Sequence, residues 1–375
     1  MTWTAPEPYN ELPALPPRFE VETRTVLKAT VAARAAIAAL DQAARRIPNP
    51  AVLINTIPLL EAQASSEIEN IVTTADELFR FAVDESAAND PATKETLQYR
   101  SALFQGYEAV LARPLTINTA VAVCSTIKRR DMNVRRLPGT YIGNPSNGAA
   151  IYTPPVGERI IRDKLSNWET FIHSDHDMDP LVAMAIAHYQ FEAIHPFEDG
   201  NGRTGRILNV LMLVEKGLLA APILYLSRYI IESKNDYYRL LLKVTSHAAW
   251  EEWILYILEG LRQTALSTIK KIDAIGELQQ ETMDRIRDVM TGGINADLLL
   301  VLFEQPYCRI ATVVARCHVS RPTATSWLNA LVRAGVLVDL KVGRERLFIN
   351  TKYLALLTRD EVITPSVGSI QPELF

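Results

Sequence analysis

The stretch IHPFEDGNGRTGRI, residues 194–207, places a histidine, an acid, a Gly-Asn-Gly run and two arginines inside one short window. Ahead of it, Ala183, Ala187 and Ile194 repeat at helical spacing, and Pro196 cannot comfortably continue that helix. The chain turns through Gly200, Asn201 and Gly202. A second helix is expected from about Arg203, with Ile207, Val210, Leu211 and Val214 on its apolar face. The N–H groups of the turn then sit at a helix N-terminus, where free donors and the helix dipole together favour an anion. Glycines let a phosphate approach the backbone closely.

Arg203 and Arg206 lie three apart on the first turn, so their guanidinium forks suit a polyphosphate better than a lone carboxylate. Asp199 offers the hard oxygen that Mg²⁺ takes. His195, largely neutral at cellular pH with an ordinary pKa of about 6.5, can act as a base. Taken singly, each has an ordinary reading: a helix-ending His-Pro, a capping residue, a surface arginine. Gathered within residues 195–206, they order into base, metal ligand, anion loop and clamp.

The rest of the chain sets bounds. Its 375 residues suggest two or three domains, and 48% hydrophobic residues suffice for a sizeable core. A net charge of −4 gives no global attraction to nucleic acid or anionic membrane. Cys124, Cys308 and Cys317 form no Cys-x-x-Cys pair or zinc spacing, so reduced thiols in a cytoplasmic protein are expected. The N-terminus has no secretory pattern. The most apolar run, near Leu208–Leu226, is interrupted by Glu215, Lys216 and Pro222, too short for a membrane span.

Helical periodicity runs through 20–46, 92–112, 116–128, 158–174, 179–193 and 250–290, with a stop at Thr291-Gly-Gly293. Pro58 fits the first turn of a further helix carrying Leu60, Ala64, Ile68 and Ile71. Residues 131–157, rich in Gly, Pro and Asn, read either as a hairpin flap with Asn144–Gly148 at its tip or as an irregular loop. From 294 to 350 the order is helix, helix, helix, then strands Val336–Leu340 and Arg346–Ile349 joined across Val342-Gly343-Arg344. That order resembles a winged helix-turn-helix. The expected division is 1–112, 113–290 and 291–375.

His195-Pro-Phe-Glu-Asp-Gly-Asn-Gly-Arg-Thr-Gly-Arg206 resembles the full Fic-family signature, His-x-Phe-x-(Asp/Glu)-Gly-Asn-Gly-Arg-x-x-Arg. The resemblance implies a mainly α fold, a Fic-type helical core with a short β-hairpin flap. It implies transfer of AMP from Mg²⁺-ATP to a Ser, Thr or Tyr hydroxyl of a target protein. His195 matches the base, Asp199 the magnesium ligand, and Gly200, Asn201 and Gly202 the anion hole. Arg203 and Arg206 match the phosphate-binding arginines, with Thr204 and Gly205 in the same ATP-binding turn. Ile151, Tyr152 and Thr153 fall in a segment similar to the family's flap, which aligns a target by strand addition. Tyr237 and Tyr238 resemble an aromatic pair beside adenine, although plain helix packing explains them equally. Gly202, where the death-on-curing branch has lysine, resembles the AMP-transferring majority.

Further upstream, SSEIEN at 65–70 allows two readings. Ser66-x-x-Glu69 spells a capping box. Ser65, Glu69 and Asn70 instead resemble the family's inhibitory motif, (Ser/Thr)-x-x-x-Glu-(Gly/Asn), on an N-terminal helix. That motif would set Glu69 on Arg206 in competition with the γ-phosphate. Beyond residue 290, nine basic side chains face seven acidic ones, a modest balance for a DNA reader. Arg321, Thr323, Thr325, Ser326 and Asn329 could reach bases, and Lys341, Arg344 and Arg346 phosphates; a protein partner is favoured over DNA. The leading function is an autoinhibited protein adenylyltransferase using ATP and Mg²⁺. Self-modification and a homodimer are compatible with it. The alternatives are a DNA-binding regulator that senses nucleotide, and an enzyme that also removes AMP.

Overall fold

In the computed structural model, residues 3–47, 49–82, 85–143, 147–175, 177–289, 295–342 and 345–359 are described. The centre is a helical hairpin, α7 (Pro180–Ile194) and α8 (Asn201–Glu215). Asp179 caps α7 through its side chain, Pro180 occupies the first turn, and nearly every residue of both helices is buried. A helix buried on all sides carries little amphipathic signal.

Around the hairpin stand α4 (Pro91–Ala112), α5 (Ile117–Lys128) and α6 (Glu158–His173). Trp168 of α6 donates its indole N–H to the Ala187 carbonyl at 2.9 Å. Gly106 of α4 lets Leu211 of α8 approach, since an added Cβ would lie 2.6 Å from Leu211 Cδ1. On the other side α1 (Arg24–Arg46) packs along α11 (Trp250–Val289), a single helix of 40 residues. The N-terminal helices and the central hairpin thus share one continuous apolar core.

Several expectations move. The helix around Pro58 is α2 (Ala51–Ile68), so Pro58 lies inside it and not in its first turn. The missing N–H forfeits one helical bond. Helix α8 starts at Asn201, two residues before Arg203, because Gly200 supplies the left-handed N-cap (φ 84°). The hairpin is small: β1 (Ile142–Gly143) pairs antiparallel with β2 (Ala150–Tyr152). Residues 144–146 of its expected tip, the stop at 291–293 and the turn residues Gly343 and Arg344 lie outside the described residues.

The C-terminal part contains α12 (Ala296–Glu304), β3 (Tyr307–Arg309), α13 (Ile310–Cys317), α14 (Arg321–Arg333), β4 (Val338–Val342), β5 (Glu345–Ile349) and α15 (Thr351–Thr358). Strand β3, absent from the sequence reading, pairs antiparallel with β5 and makes the sheet order β3-β5-β4. Three residues between two helices are too few to register as a period-two pattern.

Helix α2 is pinned by a buried acid. Glu61 accepts from Tyr99 Oη of α4 at 3.0 Å and from the Ser227 N–H at 3.0 Å, and it also bonds the Ser227 hydroxyl. Ser227 belongs to α9 (Leu226–Glu232), so one carboxylate ties three helices. Burial pushes its pKa upward, against these donors. Glu61→Ala leaves at least two buried donors unpaired and is expected to cost roughly 3 kcal/mol of unfolding free energy. Denaturant melts check this, with Glu61→Gln expected to lose less because its carbonyl still accepts.

Candidate active site

His195 is the C-cap of α7, in a left-handed conformation (φ 50°, ψ 59°) that turns its ring out of the helix. A positive φ at a residue with a Cβ needs local support. Arg135 supplies it: its guanidinium Nε donates to the His195 carbonyl at 2.8 Å, and Nη2 to Pro155 O at 2.5 Å. Its own backbone N–H donates to Pro196 O at 2.9 Å. This buried arginine was missed by the sequence reading, where it sits in an Arg-Arg pair resembling a solvated surface. Burial, with the positive charge of Arg135 adding to it, pushes the His195 pKa down to about 4. The imidazole is neutral at pH 7.

The loop between α7 and α8 is closed by Asn201. Its Oδ1 accepts from the Phe197 N–H at 2.8 Å, and its Nδ2 donates to Phe197 O at 2.9 Å. The Asn201 side chain is spent on shaping the loop whose backbone was expected to form the anion hole. Backbone N–H groups remain as the anion donors. Thr204 and Gly205, expected in the ATP-binding turn, face helix packing instead. Thr204 is fully buried, and a Cβ on Gly205 would overlap Glu192 Oε1. They line neither of the two cavities at the loop. Gly202 faces the site: an added Cβ there would overlap Glu69 Oε1.

Both arginines are almost sealed from solvent, each 2% exposed, and each meets a carboxylate from an N-terminal helix. Arg206 donates through Nε to Ser65 Oγ at 2.8 Å, and through Nη2 to Ser65 O and Glu69 Oε1, each at 2.9 Å. Burial opposes ionisation of Glu69, but Arg206 outweighs it and holds the carboxyl below the usual range. Helix α2 has already run from Ala51, so Ser66 opens no helix and the capping box is excluded. Glu69 is the C-cap of α2 rather than part of its body, and Asn70 follows at φ 61°. Asn70 Oδ1 accepts from Lys234 Nζ at 3.3 Å.

Arg203 Nη1 donates to Glu95 Oε1 of α4 at 2.8 Å. The same oxygen accepts from Lys128 Nζ at 3.0 Å, and Lys128 Nζ lies 2.6 Å from Asp199 Oδ2. Neither Glu95 nor Lys128 figured in the sequence reading; each is one charge on a helix far from the motif. Asp199 is half-exposed, and Lys128 keeps it ionised against the cost of partial burial. Among the described residues no cluster of three His, Cys, Asp or Glu could hold a metal. A lone ionised carboxylate beside an anion loop does fit Mg²⁺, which commonly takes one or two carboxylates and completes its shell with phosphate and water. The Lys128 ammonium is a cation already standing there.

A cavity of about 530 Å³ opens beside His195, lined also by Glu69, Arg206, Tyr237, Tyr238, Ile151 and Tyr152. Tyr237 is buried and its Oη meets His188 Nε2 at 2.9 Å, while Tyr238 is part-exposed. A second cavity, about 410 Å³, lies over Glu95, Lys128, Asp199 and the loop glycines. A larger one, about 690 Å³, sits behind α2, away from this chemistry. Of the flap residues, Thr153 turns away: its hydroxyl donates to Ala5 O at 2.8 Å, and its carbonyl accepts from the Tyr9 N–H at 3.0 Å. It is held by an N-terminal strap and lines neither loop cavity.

In the C-terminal part, Arg346 Nη2 donates to Asn329 Oδ1 at 3.1 Å and to Asp339 Oδ2 at 2.7 Å. Thr325 Oγ1 donates to Arg321 O at 2.8 Å, and Thr323 Oγ1 bonds the capping Ser320 hydroxyl at 2.8 Å. Four of the residues expected to reach nucleic acid are thus engaged internally. No helix among the described residues is long and apolar enough to cross a membrane.

Three family descriptions match the chain: the Fic/DOC family N-terminal region over 27–108, the Fic/DOC family over 115–213, and the C-terminal domain of SoFic-like protein adenylyltransferases over 278–353. A probable protein adenylyltransferase of Aquifex aeolicus is 41% identical over 85 residues, 22% of this chain and 25% of that protein. Protein adenylyltransferase fic-1 of Caenorhabditis briggsae is 34% identical over 86 residues, 22% of this chain and 16% of that protein. The matched region thus spans a quarter or less of these curated relatives. A crystal structure of a Fic family protein from Desulfovibrio desulfuricans G20 is similar with a TM-score of 0.56 at 20% identity, covering 89% of this chain and 98% of that one. That likeness is one of fold.

The buried imidazoles carry a test independent of any activity. His195, held at about 4, and His188, pushed by burial to about 3, are expected to stay neutral through the range where exposed histidines titrate. Ring C–H resonances followed by NMR from pH 8 to 5 should leave two histidines unshifted. A His195→Ala spectrum assigns one of them, and a midpoint near 6.5 for that resonance would contradict the burial argument.

Proposed function

Because the chain belongs to the Fic family, with N-terminal and C-terminal domains added to the Fic core, we propose that it is a protein adenylyltransferase held off by its own Glu69. The observation that carries this reading is the Glu69–Arg206 pair, 2.9 Å long, on the wall of the cavity that also contains His195. In the proposed reaction a Ser, Thr or Tyr hydroxyl oxygen of a target protein, this chain included, attacks the α-phosphorus of ATP. The oxygen–phosphorus bond to the pyrophosphate breaks, and His195 takes the hydroxyl proton.

The loop N–H groups and arginines bind the phosphates, and the Tyr237–Tyr238 face of the cavity takes the base. Asp199 would hold Mg²⁺, which supplies charge neutralisation on the phosphates. With Glu69 on Arg206 the γ-phosphate loses its fork, and the α-phosphate is aimed wrongly. A misplacement of about 1 Å can cost on the order of 100-fold in rate. Glu69 shares the cavity with His195, so it could also position a water that releases AMP from a modified target. Residues 291–375 are proposed as a winged-helix module that docks a protein in the cytoplasm. The internal bonds of Asn329 and Arg346 speak for that over DNA.

Incubation with labelled ATP tests the proposal. Glu69→Gly should raise self-labelling or lysate labelling on the order of 100-fold. Adding Arg206→Ala should cancel the gain, because both changes act on one interaction. His195→Ala should abolish labelling while ATP binding persists. If Glu69→Gly also retains label on a separately modified target longer than wild type does, the carboxylate serves release as well. A second expectation concerns pH. His195 works as a base only when deprotonated, and its pKa is about 4. The kcat/KM of Glu69→Gly should therefore hold from pH 8 down to about 5 and fall below that, with no break near 6.5.

A further inference from the structure

The geometry points to Lys128 as the resting counter-cation of Asp199, an ammonium that an arriving divalent metal must displace, with Glu95 as the acceptor that keeps it. Lys128 is the last residue of α5, and its Nζ meets two carboxylates at once, Asp199 Oδ2 at 2.6 Å and Glu95 Oε1 at 3.0 Å. Glu95 is itself anchored, because the same oxygen accepts from the buried Arg203 at 2.8 Å. Asp199 is the most exposed of the four, 55% against 17% for Lys128, 30% for Glu95 and 2% for Arg203. It is the end of the chain that opens to the cavity above the loop.

Two positive and two negative groups compensate each other here, so the network is closed without any metal. A divalent ion placed on Asp199 would meet a like charge at its ligand, a repulsion that falls only if the ammonium withdraws. Glu95 allows that withdrawal without leaving Lys128 unpaired. Its own position hardly changes, since it sits within a helix whose start is fixed by the Asp90 cap. The other titratable groups facing the cavity are Glu69, Glu198 and the neutral His195. Glu69 is committed to Arg206, and Glu198 lies 3.8 Å from Arg130. Lys128 is thus the charge bonded to the metal-facing carboxylate, and its displacement ties metal entry to the N-terminal region through Glu95.

The inference rests on the reading above for Asp199 as the metal's ligand and for its probe, the unreactive analogue α,β-methylene-ATP. Its dissociation constant is measured by calorimetry with chelator and with saturating Mg²⁺, and the ratio of the two gives the coupling between metal and nucleotide. Lys128→Met removes the competitor and should raise that ratio about two- to fivefold, the fold-change of one half-exposed ion pair. Glu95→Gln removes the alternative acceptor, so Lys128 holds Asp199 more firmly and the ratio should fall by a similar factor. In the double variant the ratio should match Lys128→Met alone, because Glu95 acts on the metal through the lysine. Lys128→Arg, which keeps charge and reach, should stay near wild type and guards against misfolding as an explanation.

An unchanged ratio in Lys128→Met, or shifts of the same sign in both single variants, would overturn the proposal. So would strictly additive changes in the double variant. Failure of AMP transfer leaves these binding ratios readable, so the two readings fail separately.

Discussion

A guanidinium sealed inside a protein must find acceptors, because an unpaired buried charge costs far more than the pairing gains. Two such groups, Arg203 and Arg206, rise from the first two turns of α8, and among the described residues the hairpin that carries them forms no ion pair with either. Their acceptors, Glu95 of α4 and Glu69 at the end of α2, lie 108 and 137 residues before them. The N-terminal helices are therefore required by the charge of the motif as much as by the apolar core. A phosphate chain entering the loop offers the same arginines a different set of oxygens. On the proposed reading, binding and inhibition are two solutions to one desolvation problem.

This shared demand explains why the site is so asymmetric. Glu95 stands within a capped helix and is additionally held by Lys128. Glu69 stands at a helix end, where the next residue already has a left-handed backbone. The first contact is part of the frame, and the second can be withdrawn by turning a few torsions. A carboxylate that merely stabilised Arg206 would be expected on a rigid element; Glu69 is placed where the helix stops.

How much of this was legible in the sequence follows from how the residues are spaced. His195, Asp199, the loop glycines and both arginines lie within one turn-and-helix unit, so local geometry brings them together. Ser65 and Glu69 were readable because their spacing matches a helix and their types match a motif, although Glu69 proved to cap the helix. Arg135, Glu95, Lys128 and Glu61 were not readable. Each is a single charge on an otherwise ordinary segment, and its role depends on which distant backbone folds against it. Pro58 misled for a different reason: proline's missing N–H and fixed φ favour a first turn, yet α2 carries it in the interior at the cost of one helical bond. The inward bonds of the Asn201 side chain to Phe197 were not part of the sequence reading, which concerned only the backbone of the turn.

If Glu69 is the brake proposed above, the anchoring of α2 bears on the mechanics of its release. Glu61 fastens the middle of the helix to α4 and α9, two turns before Glu69. Sliding or swinging the whole helix would first have to strip that buried carboxylate of its donors. The lowest-energy departure of Glu69 is consequently a fraying of the final turn, with the rest of α2 remaining in place. An activating signal, whatever its source, then has little mechanical work to do: it need only favour an unwound end over a wound one. Helix ends fluctuate on fast timescales, so a latch of the proposed kind would have its strength set by the population of the frayed state.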